Sequence, residues 1–83
     1  MSIQKVRIAV KLREAMDAYR ERTGTRLTYA RLAELTGVAE DTLQSLAVRP
    51  DYNTRLSTVA RLCAALGCAP ADLLELHRGD NED

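Results

Sequence analysis

Gly37 lies between two short segments in which apolar residues recur at helical spacing. This arrangement limits the possible folds of the chain more than any other feature of the sequence. Short helices pack at a steep angle only when their backbones approach closely and the turn between them adopts a conformation that most residues resist. Ala33 is small where the approach is closest, and Gly37 comes one helical turn after it. Three apolar side chains then fill the angle: Val38, Leu43 and Leu46. The spacing predicts a helix-turn-helix motif within residues 28–48.

The two helices of this motif have recognisable ends. Thr28 is a favoured N-cap residue and Gly37 a favoured left-handed terminator, so a second helix is predicted between them. Its expected inner face consists of Leu32, Ala33 and Leu35. Glu40 and Asp41 place negative charge where the dipole of a new helix favours it. A third helix is predicted from there to about Ala47.

Apolar residues also recur at helical spacing before the motif. The pattern from Val6 to Arg22 predicts a first helix that ends at Gly24. The beginning of this segment also alternates with a period of two, as a short strand does, at Val6, Ile8, Val10 and Leu12. Because the helical spacing continues to Tyr19, we expect a helix throughout.

Two further helices are predicted after the motif. Residues 49–53 have the chemistry of a loop, and Thr54 can cap a fourth helix that ends at Gly67. Its expected inner face consists of Leu56, Val59, Ala60, Cys63 and Leu66. Pro70 suits the first turn of a fifth helix. We expect one helical domain over residues 1–78 and a frayed acidic tail over 79–83.

Composition limits the possible functions. At 83 residues the chain fits one domain, and no apolar run is long enough to span a bilayer, so a cytoplasmic protein is expected. The formal net charge is zero, but residues 1–55 carry ten Lys or Arg against seven acids, whereas residues 56–83 carry two against five. Cys63 and Cys68 lack the spacing of a zinc site and are predicted to be buried free thiols. No catalytic set is visible, and neither an enzyme nor a cofactor is expected.

The motif and the segment C-terminal to it resemble a known family. The stretch from Leu27 to Val38, continued by Thr42, Leu43 and Leu46, is similar to the helix-turn-helix of phage Cro and repressor-like (Xre-type) proteins. Residues 56–75 resemble the fourth and fifth helices of the same family. The resemblance covers roughly residues 6–76 and implies an all-α, five-helix domain of the lambda-repressor-like type, with helices 2 and 3 forming the helix-turn-helix.

The resemblance also implies how such a domain meets double-stranded DNA. The third helix would enter the major groove, and the second helix and the loop after the third would touch phosphates. The base-contacting candidates are then Glu40, Asp41, Gln44 and Ser45. The phosphate-contacting candidates are Thr28, Tyr29, Arg49, Asn53 and Arg55. Ala33, Gly37, Val38, Leu43 and Leu46 would hold the motif without reading bases.

Two functions remain open at this point. The first is a sequence-specific DNA-binding transcriptional regulator that acts like a repressor and binds a pseudo-palindrome as a homodimer. The second is a protein-interaction module of the same fold, such as an antitoxin or co-regulator that binds a partner protein. The zero net charge and the paired acids Glu40 and Asp41 favour the second somewhat, since those acids would face a polyanion. Acids at a helix start also stabilise the helix without touching DNA. The apolar fifth helix, with Leu73, Leu74 and Leu76, is the expected dimer surface.

Overall fold

The computed structural model describes residues 6–78, which form a helical body with one small sheet. The predicted tail at residues 79–83 lies outside this range. The elements in chain order are β1 (Val6–Val10), α1 (Leu12–Thr23), α2 (Tyr29–Thr36), α3 (Glu40–Val48), α4 (Leu56–Leu66), α5 (Pro70–Leu73) and β2 (Leu74–Arg78). Residues 6–78 therefore contain five helices. None of the described helices has the length and hydropathy needed to cross a membrane.

The fold is not strictly all-α, because β1 and β2 pair as a two-stranded antiparallel sheet. The expectation of one helix from Val6 to Arg22 was wrong, since β1 occupies its first part and α1 begins at Leu12. The alternation with a period of two at Val6, Ile8 and Val10 was the correct signal. A strand forms here in place of the predicted helix because β2, which lies much later in the sequence, supplies the backbone hydrogen-bond partners that a strand requires.

The fifth helix is much shorter than predicted. It has four residues and ends when the Leu74 N–H bonds to the Pro70 carbonyl, after which the chain continues as β2. Leu73 is fully buried, Leu74 is half-buried in the sheet and Leu76 is exposed. The expected apolar helical surface for dimerisation is therefore absent from this part of the described chain.

Leucine side chains from every helix meet in one core. Those with no more than 1% exposure are Leu12, Leu32, Leu43, Leu46, Leu62, Leu66 and Leu73. Three inner-face predictions were wrong: Leu35 is 48% exposed, Leu56 is 82% exposed, and Ala60 is exposed as well. Thr36 takes the buried place on α2, because its hydroxyl donates to the Leu32 carbonyl and accepts from the Val38 N–H. The polar group is thereby satisfied inside the core.

The ends of α4 also differ in detail from the prediction. Its N-cap is Arg55, without a side-chain cap bond, so the expected cap by Thr54 is not formed. Gly67 ends the helix in the left-handed conformation, as predicted. The Cys68 N–H bonds to the Cys63 carbonyl at 3.1 Å, which brings the two cysteines together around Gly67. Both are free and half-buried rather than fully buried.

Candidate nucleic-acid interface

The turn between α2 and α3 is built by short-range hydrogen bonds. The Thr28 hydroxyl accepts a bond from the Arg31 N–H at 3.1 Å, so the predicted cap of α2 is confirmed. Gly37 has φ 75°, in the left-handed region, and its N–H donates to the Ala33 carbonyl. Only Gly adopts this conformation without cost, so the helix must end there.

Apolar side chains hold α2 and α3 in the angle that the turn creates. Leu43 and Leu46 are completely buried, Val38 is nearly so, and Ala33 packs against the same core. The predicted scaffold residues thus all lie at the contact between the two helices or in the turn. Among residues 6–78, the opposite side of α3 is exposed.

That exposed side of α3 presents a mostly polar surface, which we call the α3 face. It surrounds a shallow depression lined by Asp41, Gln44, Ser45, Val48 and Arg49. The sequence spacing of three and four residues places the first four on one side of the helix. Glu40 borders them, because the Gln44 amide nitrogen donates to its carboxylate at 3.3 Å. All four base-contacting candidates are therefore neighbours.

Four of the five phosphate-contacting candidates divide into two groups. Thr28 and Tyr29 line a cleft at the start of α2, together with three arginines from α1 and the loop after it. These arginines are Arg13, Arg20 and Arg26. We call this the α2 cleft. The cleft also contains Asp17, so three cations and one acid lie at the N-terminal end of α2, whose dipole favours anions.

The second group lies at the start of α4. Asn53 and Arg55 line a polar cleft with Arg61 and with Gly37 of the turn. We call this the α4 cleft. The Arg61 guanidinium lies 3.7 Å from the point where a side chain at Gly37 would begin, so this cation reaches the turn itself.

Arg49 belongs to neither cleft. It lines the depression of the α3 face, and its guanidinium lies over the Tyr52 ring at 5.3 Å from the ring centroid. The Tyr52 N–H also donates to the Arg49 carbonyl. This stacking holds the cation near the C-terminal end of α3.

Comparison of the sequence with models of known protein families identifies the kind of domain that carries this site. The model of the Cro/C1-type HTH DNA-binding domain matches residues 22–78, from the end of α1 through β2. The chain belongs to this family. The Cro/C1-type match includes both helices of the turn, the α3 face and the α4 cleft. Searches of curated proteins and of solved structures found no match.

Several residues of this Cro/C1-type surface were missed by the sequence analysis. Val48 continues the exposed stripe of α3 by one turn and is 69% exposed. Arg61 follows Thr58 by one turn of α4, and both line the α4 cleft, so helical spacing was the available signal. The arginines of the α2 cleft gave no local signal, because they come from α1 and a loop.

Proposed function

We propose that this Cro/C1-type domain is a sequence-specific, double-stranded DNA-binding transcriptional regulator that acts as a repressor. One observation carries the proposal: a polar α3 face flanked by two clefts that both contain arginine. Cations beside a helix bind phosphates, and the helix between them then lies in the major groove.

Base reading is assigned to the first turns of α3. Gln44 pairs with adenine through two hydrogen bonds, and Ser45 contacts either kind of base edge. Val48, exposed at the end of the same stripe, is suited to a thymine methyl group. The Glu40 carboxylate competes with DNA for Gln44, since it accepts from one of the two N–H donors of the Gln44 amide.

Phosphate binding is assigned to the two clefts. Thr28 and Tyr29 offer a hydroxyl each beside the arginines of the α2 cleft. Asn53, Arg55 and Arg61 act from the α4 cleft. Contacts on both sides of α3 fix its register in the groove, whereas they carry no sequence information. The zero net charge is compatible with this because the arginines are concentrated at the site.

A second function is favoured by one specific observation. Glu40 and Asp41 are both exposed in the first turn of α3, where they would approach a polyanion. A protein partner with basic residues would pair with this end of α3, as in an antitoxin or co-regulator. The two functions differ in what they require of the arginines, which only the DNA-binding function needs.

Selection of bound duplexes from a random pool tests the proposal directly. The purified chain is expected to enrich a pseudo-palindrome whose half-sites lie about 10 base pairs apart, one helical turn. A triple variant with Arg55, Arg61 and Arg26 each changed to Gln is the negative control. Failure of the unmodified chain to enrich any sequence, with a partner protein retained by the triple variant, would instead establish the interaction module.

A further inference from the structure

The two cysteines of the chain lie on either side of Gly67, the left-handed residue that ends α4. At such a helix end, the N–H of the residue after the glycine bonds to a carbonyl in the last helical turn. Here the Cys68 N–H donates to the Cys63 carbonyl at 3.1 Å. Standard bond lengths then keep the two Cα atoms within about 7 Å of each other, close to the range of about 4.4–6.8 Å that disulfides span.

The two side chains are neighbours as well. Burial is the main reason why the pKa of the Cys68 thiol is raised, and a hydrogen bond with the Cys63 side chain raises it further. Both cysteines pack against the hydrophobic core, yet both are only half-buried. A small oxidant can therefore reach a pair of thiols that already touch.

Hydrogen bonds fix the backbone on both sides of Cys68. Before it, the Arg22 guanidinium, from the end of α1, donates to the Leu66 carbonyl at 2.6 Å. After it, the Ala69 N–H donates to the Asp72 carboxylate at 3.1 Å in the first turn of α5. Because this segment is already ordered, joining the two thiols costs little further conformational entropy.

We infer that Cys63 and Cys68 are a modification site, at which hydrogen peroxide forms an intramolecular disulfide between the end of α4 and the residues before α5. One thiolate attacks a peroxide oxygen and becomes a sulfenic acid, and the other oxygen leaves as hydroxide. The second thiolate attacks the sulfenic sulfur and displaces a second hydroxide. The protons of the two thiols convert both hydroxides to water. The sulfurs lose two electrons, which reduce the peroxide, and a reducing thiol reverses the reaction by exchange.

The disulfide would leave the proposed DNA-binding surface in place, so the inference goes beyond the proposed function and does not rest on it. Cys63 follows Arg61 of the α4 cleft by two residues, which separates them by about 200° around the helix. A cross-link also restricts the unfolded chain. The oxidised domain is therefore expected to melt about 5–10 °C above the reduced one.

Equilibration with reduced and oxidised glutathione tests whether the fold positions the two thiols. Mass spectrometry after an acid quench detects the intramolecular disulfide as the loss of two hydrogen atoms. The unmodified chain should favour the disulfide about tenfold more strongly when folded than in urea, because the turn at Gly67 holds the thiols together. An equal or lower preference in the folded chain would overturn the inference.

The matched control moves one thiol and keeps the number of thiols at two. In the Ala60→Cys, Cys63→Ser variant, the thiol on α4 lies one helical turn earlier, about 4.5 Å further along the axis. Ala60 is exposed, so the change does not disturb the core. The folded variant should favour the disulfide less than it does in urea, since its thiols are out of reach. A tenfold preference in the folded variant would contradict the assigned geometry.

Thermal melts after treatment with hydrogen peroxide test the consequence for the fold. The rise in Tm should occur in the unmodified chain, disappear on addition of dithiothreitol and be absent from Cys63→Ser and Cys68→Ser. Oxidation to sulfinic acids or to disulfides between chains, or an oxidised domain that melts below the reduced one, would overturn the inference. Both experiments are made without DNA, so their results do not depend on whether the chain binds a duplex.

Discussion

The Gln44 amide donates a hydrogen bond to the Glu40 carboxylate, 3.3 Å away, on the exposed side of α3. The residue best suited to read adenine is thus held by an acid that phosphates repel. Glu40 also lies in the first turn of α3, where its charge stabilises the helix. The Glu40 carboxylate is therefore expected to raise the stability of the fold and to lower its affinity for DNA.

Glu40→Gln is expected to bind DNA about three- to tenfold more tightly, because it removes a negative charge and weakens the hydrogen bond that Gln44 donates to residue 40, with each tenfold equal to about 1.4 kcal/mol. The same change should cost about 0.3–1 kcal/mol of stability. Fluorescence anisotropy with the selected duplex and calorimetry measure the two effects. Glu21→Gln on α1 is the control, and a loss of affinity in Glu40→Gln would contradict the assignment.

Gln44→Ala is expected to relax the preference at one base pair by about 1–3 kcal/mol, the range for a bidentate contact. Affinity for random duplex should hardly change, because phosphate contacts are intact. Binding to the selected site and to its single-base variants gives the measurement. Discrimination that stays the same at every position would show that Gln44 does not read the site.

Arg55→Gln and Arg61→Gln are expected to weaken all duplexes alike. Each lost phosphate contact should reduce the slope of log affinity against log salt by about 0.9. The slope is measured by titrations at several salt concentrations. Arg7→Gln, which removes an arginine paired with Asp51 on the sheet, should leave it unchanged. A slope unaffected by both α4-cleft variants would remove that cleft from the interface.

Gly37→Ala is expected to destabilise the domain by about 1–2 kcal/mol, because the left-handed backbone at φ 75° is strained for any residue with a side chain. Space does not add to the cost, since only Arg61 comes within 4 Å. Gly24→Ala, at nearly the same φ, should destabilise similarly. Only the Gly37 variant should also lower DNA affinity, and equal effects of the two on binding would contradict the role of the turn.

Burial, together with the smaller effect of neighbouring Cys63, raises the pKa of the Cys68 thiol above its ordinary value. The thiolate is the reactive form, so iodoacetamide should modify native Cys68 more slowly at pH 8 than it does in urea. Because the folded pKa is the higher one, the stabilisation is complete below the unfolded pKa and is lost as pH rises through the folded value. Mass spectrometry of the labelled peptide and urea melts from pH 7 to about 10 test both effects.

The helix-turn-helix was predictable because its signals are local. The Thr28 cap, the Gly37 turn and the apolar spacing of α3 all act within a few residues of each other. Short-range hydrogen bonds of Thr28 and Gly37 build the turn. Placement of the base-contacting candidates on one side of α3 came from helical periodicity alone.

The sheet was not predictable in the same way. Leu73, Leu74 and Leu76 suit a helix as well as a strand, and β2 forms only because β1 lies beside it. The burial of Thr36 in place of Leu35 likewise depends on where α4 packs against α2. The two clefts could not be predicted without knowing how the helices pack, since each cleft combines residues from separate elements.

Pairing of β1 with β2 joins the first and last parts of the described chain, so Val6 and Arg78 stand side by side. During synthesis on a ribosome, β1 emerges before β2 and stays unpaired until β2 has been made, while the helices between the two strands can already pack. The strand is an exposed edge for that whole interval. Translation speed near the codons for β2 would then set how long each nascent domain is open to pairing with a neighbouring chain.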